Sequence, residues 1–174
     1  MMSRARVIAI LFAALSSVSL ATASRAAGEP AFVVEGHLTV QKLARVAQTG
    51  IVLPQLRVYD REGRLLRNFG PGYAPAAFTG ELDGLVARPV AGDGVSPTLE
   101  HELDGVVDAA GEPMVVPGGS DLVFVEYWAD WCQPCHAQLQ ALTAYLEAHR
   151  NLDATLLHIA MAPASAVKVA EPPR

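Results

Sequence analysis

Apolar residues recur along this chain in two periods, and the switch between them marks out the elements. The sharpest switch falls near residue 130. Leu122, Val123, Phe124 and Val125 form the continuous apolar run of a buried strand. Beyond Pro134 the spacing becomes helical, with Leu139, Leu142 and Leu146 three and four residues apart on one face. The pattern predicts a strand, a short turn and an amphipathic helix. Cys132 then falls at the helix N-terminus and Cys135 one turn further in.

The earlier part of the chain carries the same alternation. A helix is expected over residues 37–50, where Thr39 can cap the start, Val40, Leu43 and Ala47 share a face, and Gly50 ends it. Phe32, Val33 and Val34 before it read as a short strand. Residues 51–60 form a strand pattern running into Asp60-Arg61-Glu62-Gly63, a turn that suits a hairpin with Gly in the left-handed region. Residues 64–69 are the return strand, Gly70-Pro71-Gly72 breaks it, and Phe78, Leu82 and Leu85 mark another helix. Residues 87–121 are rich in Gly and Pro, with room for a hairpin at 106–116. Residues 154–161 give a last strand, and 162–174 read as an Ala- and Pro-rich tail.

The first 23 residues have a different character. Arg4 and Arg6 precede an apolar run from Val7 to Leu15, and Ala21-Thr22-Ala23 is a small-residue cleavage site. They read as an export signal, with residues 24–161 as one domain and an uncleaved membrane anchor as the alternative. Cleavage would remove two Arg and no acid, moving the formal charge from −5 to −7. An acidic chain without a basic cluster argues against nucleic acid as a partner. No later segment is long and apolar enough to span a bilayer. The expected location is periplasmic or secreted.

Export puts the two cysteines where a disulfide can persist. A bond between Cys132 and Cys135 closes only a small loop, so a structural role contributes little chain entropy and a redox role explains the spacing better. The helix dipole and unpaired N–H groups favour a thiolate at Cys132, which makes it the better nucleophile. Cys135 is close enough to resolve a mixed disulfide. Trp131, beside Cys132, is the natural hydrophobic contact for partner proteins. Glu100, Glu102 and Asp104 read as a solvated acidic stretch.

Two other chemistries compete for the same residues. Cys132-Gln133-Pro134-Cys135-His136 is also a C-x-x-C-H haem-attachment signature, which would make the protein an electron carrier. The strand directly before the motif and its Trp128/Trp131 context speak against that reading. A zinc site would need ligands beyond Cys132, Cys135 and His136. His149 and His158 have no recognisable ligand spacing, so no metal is expected.

Val125-Glu126-Tyr127-Trp128-Ala129-Asp130-Trp131-Cys132-Gln133-Pro134-Cys135 resembles the active-site block of the thioredoxin family. The resemblance implies an α/β fold with a mixed sheet flanked by helices. It implies a thiol-disulfide oxidoreductase in which Cys132 attacks, Cys135 resolves and the Cys132–Cys135 disulfide is the only redox group. Glu126 falls where the family keeps a buried carboxylate that relays protons to the resolving Cys, more often an Asp. Gln133 replaces the commoner Gly, and Pro134 leans toward the reducing members. Residues 31–86 resemble the C-terminal half of a thioredoxin, with Pro54 at the position of the cis-Pro that faces the cysteines. Here that half precedes the cysteine half at 122–161. The resemblance therefore implies a circularly permuted domain, joined through 87–121, with its new termini between the parent's third strand and third helix. An incomplete fold finished by a second copy or another protein is the alternative. Expected partners are protein or small-molecule disulfides and a redox partner. A redox-inactive binding module that keeps the fold stays open.

Overall fold

In a computed structural model the described residues are 32–71, 75–88 and 97–163. The expected signal at 1–23 and the tail beyond residue 163 lie outside them. The described elements are β1 (Phe32–Leu38), α1 (Val40–Thr49), β2 (Gln55–Asp60), β3 (Leu65–Phe69) and α2 (Pro75–Ala87). They continue with α3 (Leu99–Leu103), β4 (Val106–Val107), β5 (Leu122–Trp128), α4 (Gln133–Ala148) and β6 (Ala154–Pro163). The six strands form one mixed sheet in the order β3-β2-β5-β6-β1-β4, flanked by helices.

The strand bearing the cysteine motif lies inside the sheet. β5 pairs parallel with β6 and antiparallel with β2, where Gln55 to Asp60 run against Tyr127 to Leu122. Residues 55–60 thus supply the antiparallel neighbour of β5. It continues into the Asp60–Gly63 hairpin, where Asp60 accepts from the backbone N–H of Arg64 at 2.8 Å and Gly63 takes φ 75°. β1 lies on the far side of β6, parallel to it.

Alternation along the strands sends side chains to two faces. Leu56, Val58, Phe124 and Leu156 pack with Phe78 and Leu82 of α2 and Leu142 and Leu146 of α4. Val123, Val125, Tyr127, Leu157 and Ile159 pack on the other face with Leu43 and Val46 of α1 and Leu99 and Leu103 of α3. Each fully buried Leu or Phe stabilises the fold by about 2 kcal/mol. Phe124 and Leu156 have no exposed surface at all.

Several boundaries differ from expectation. The helix read over 37–50 starts at Val40, because Thr39 caps it and His37 and Leu38 extend β1. Gly50 ends it in the left-handed region, φ 70°. The strand read over 51–60 begins only at Gln55, after a cis Leu53–Pro54 bond. The hairpin expected at 106–116 is present but short: β4 pairs with the end of β1, Val107 bridges Pro113, and the N–H groups of Asp108 and Met114 donate to the carbonyls of Glu112 and Val106. The last strand runs two residues past Met161, to Pro163. Among the described residues no helix is long and apolar enough to cross a membrane.

Candidate active site

β5 ends at Trp128, and four residues carry the chain over into α4. Cys132 is the N-cap of that helix, and Pro134 sits in its first turn, where the absent N–H costs nothing. The N–H of Cys135 points at Cys132 Sγ, 3.2 Å away. This is the donor geometry that stabilises negative charge on a sulfur. The two cysteines are joined in a disulfide, with Cα atoms 5.3 Å apart.

Both cysteines are nearly covered, at 3% and 1% exposure for Cys132 and Cys135. Ala129, Trp128, Leu53 and Met161 pack around them. Pro54 is buried next to Leu53, so the loop before β2 comes up against the disulfide from an element remote in sequence. Gln133 and Pro134 are exposed. Trp131 is 77% exposed, a large indole in solvent beside a covered disulfide.

Glu126 lies on β5, two residues before Trp128 and on the same face of the strand. It has no exposed surface, and neither carboxyl oxygen has a hydrogen-bond partner. Burial, with the charge of Glu35 adding to it, pushes its pKa up to about 8. The nearest ionisable group is His158 of β6, whose Nε2 is 3.8 Å from Glu126 Oε2. That is beyond a hydrogen bond. The other ring nitrogen, Nδ1, is 3.1 Å from Glu35 Oε1. Trp128 stacks on the His158 ring at 4.5 Å with planes 7° apart.

His158, which has no ligand spacing in the sequence, is buried inside the sheet face. The signal was present. His158 is the only ionisable residue in the apolar run 154–161. His136, on the first turn of α4, is partly exposed, and its Nε2 is 3.2 Å from the Asp130 carbonyl. Among the described residues no group of three or more His, Cys, Asp or Glu could hold a metal ion.

The acidic stretch 100–104 is not uniformly solvated. Glu102 is buried and accepts from Tyr127, Tyr59 and Arg57, while its carbonyl accepts from Lys42 Nζ. Its carboxylate thus takes three donors from β2 and β5. Burial and the neighbouring Glu102 raise the pKa of both tyrosines. Burial opposes the charge on Arg57, but Glu102 outweighs it and raises that pKa too. The network lies on the α1 and α3 face of the sheet, opposite the disulfide helix.

No protein-family model, no curated protein and no solved structure matches this chain.

Proposed function

We propose that this protein is an exported thiol-disulfide oxidoreductase with a circularly permuted, thioredoxin-like fold. The observation that carries the reading is the Cys132–Cys135 disulfide across the N-cap and first turn of α4, directly after an interior strand. The permutation is supported by β2 running antiparallel to β5, and by the Leu53–Pro54 loop arriving beside the disulfide from the earlier half of the chain.

In the reduced protein the Cys132 thiolate attacks a substrate disulfide. A Cys132 mixed disulfide forms, and one substrate thiolate leaves. Glu126, as carboxylate, takes the proton of Cys135. The Cys135 thiolate then attacks Cys132 Sγ and releases the second substrate thiolate. Two electrons have passed to the substrate, and the protein is left in the disulfide form described here. A partner dithiol returns it to the reduced state. Trp131, Gln133 and Pro134 form the exposed approach to Cys132, and the Leu53–Pro54 loop covers it from the other side. No further cofactor takes part in this cycle.

The haem-attachment alternative is the less well supported one, because the Cys132–Cys135 motif directly follows an interior strand of a mixed sheet.

The test is disulfide reduction of insulin by the purified protein, with a dithiol as electron donor. Cys132→Ser should abolish it. Cys135→Ser should accumulate covalent mixed disulfides with substrate. Full activity in Cys132→Ser would refute the assignment.

A further inference from the structure

Glu126, His158 and Glu35 are register partners on three neighbouring strands. Glu126 pairs with His158 across β5 and β6, and His158 with Glu35 across β6 and β1. Register partners project to the same face. Three ionisable side chains therefore stand in one row across the sheet, and Leu56 of β2 closes its inner end. Side-chain exposure climbs along the row from 0% at Glu126 through 7% at His158 to 56% at Glu35. His158 Nδ1 contacts both Glu35 oxygens, at 3.1 and 3.2 Å. A carboxylate can only accept at those distances, so Nδ1 carries the hydrogen. Nε2 is then a bare acceptor, turned to Glu126 Oε2 at 3.8 Å. The stacked Trp128 ring holds the imidazole plane in place.

We propose that Glu126 exchanges its proton with solvent through His158 and Glu35. The use of this conduit in thiol chemistry rests on the function proposed above, whereas the conduit itself rests on the three side chains. In the outward step the Glu126 O–H transfers its proton to His158 Nε2. The Nδ1 proton passes to the Glu35 carboxylate, which loses it to water. No electrons move, Glu126 becomes a carboxylate, and the imidazole is left as its other tautomer. The reverse sequence carries a proton in. The Nε2 to Oε2 gap must close by about 1 Å for the first transfer, a side-chain adjustment. The charged or titratable groups facing His158 are Glu35 from β1, Glu126 from β5 and His136 from α4. The cysteine pair packs against Trp128 and carries no charge as a disulfide. Burial lowers the His158 pKa against the pull of Glu35, which keeps Nε2 free to accept. Without such a row, a carboxyl with no exposed surface would exchange only when the sheet opens locally.

The test follows the carboxylic C=O infrared band of the oxidised protein as it is mixed rapidly into D2O at slightly acidic pH. The band is assigned by its loss in Glu126→Gln. In the wild type the band should shift quickly. His158→Gln should slow the shift by roughly a hundredfold. Glu35→Gln, at a half-exposed position that leaves folding secure, should slow it by about tenfold. If His158→Gln does not fold, Glu35→Gln decides. Unchanged exchange in the folded variants overturns the conduit. A wild type that exchanges through the row yet reduces no disulfide refutes the proposed function and leaves the conduit standing. A wild type that reduces disulfides while exchange ignores both substitutions refutes the conduit alone.

Discussion

The phenol of Tyr127 donates to Glu102 Oε1, tying the interior strand β5 to the short helix α3. Arg57 and Tyr59 donate to the other oxygen. Removing the carboxylate would leave a half-buried guanidinium and two buried phenols without their acceptor. We expect Glu102→Ala to cost about 3–5 kcal/mol, since breaking a buried ion pair from one side strands the other charge. Urea denaturation of the oxidised protein measures it. A loss within the range of ordinary surface substitutions would mean that water replaces Glu102 freely.

Glu126 gives the fold a pH dependence of known sign. Its folded pKa is raised from 4.5 to about 8, chiefly by burial. Between those values the folded protein holds one more proton than the unfolded chain. Its contribution is whole below 4.5 and is lost as pH rises to about 8, at up to about 1.4 kcal/mol per pH unit. His158 has the opposite sign, because burial lowers its pKa from 6.5, and its effect is confined to pH below that value. The interval from 6.5 to 8 therefore isolates Glu126. Denaturation midpoints should fall across it in the wild type and stay level in Glu126→Gln. Parallel slopes in the two proteins would show that the buried proton lies elsewhere.

Reduction should make the two sulfurs unequal. Cys132 caps α4 and receives the Cys135 N–H, whereas Cys135 lies deeper. In the reduced protein, iodoacetamide at mildly acidic pH should modify Cys132 first and faster than an ordinary thiol, whose pKa is about 8.5. Mass spectrometry of the quenched protein locates the label. Equal labelling of both cysteines would remove the helix-terminus argument.

Trp131 contributes exposed area and little packing. Trp131→Ala should change stability by no more than about 0.5 kcal/mol, as surface substitutions do. If Trp131 serves the docking role proposed for it, the same change should raise KM for protein disulfides more than for small ones. An equal effect on large and small substrates would count against a docking role.

The earlier half of the chain is required by the later half. A fragment of residues 91–174 lacks β1, α1, β2, β3 and α2. It exposes one edge of β5 and loses Leu56, Val58, Phe69, Phe78 and Leu82 from the core around Phe124. We expect that fragment to show no cooperative unfolding transition by circular dichroism. A folded monomeric fragment would mean that the two halves are independent.

What was legible in the sequence was local or periodic. The Thr39 cap, the Gly50 stop, the Asp60–Gly63 turn and the strand-to-helix switch at the cysteines each depend on residues a few positions apart. The antiparallel pairing of β2 with β5 was reachable because an interior strand needs two neighbours and only one remained after residue 150. The role of Glu102 was hidden. Its partners Arg57, Tyr59 and Tyr127 lie far away in sequence, and an acid flanked by acids reads as a solvated face. α3 escaped for a related reason, since five residues are too few for a helical period to show. Glu35 and His158 look unremarkable along the chain and meet only through the register of β1 against β6.

The sheet order has a consequence for how the molecule is made. β1 and β2 are translated early, yet they do not touch, because β5 and β6 lie between them. Until residue 163 has left the ribosome, little beyond the β2–β3 hairpin and isolated helices can close. Nearly all the ladder pairing is long-range, so the loop-closure cost falls due before most contacts form. The nascent chain therefore stays open for most of its synthesis, with apolar strands awaiting partners. The Cys132–Cys135 pair is the exception. Three residues of separation let that bond form in a chain that has not yet folded.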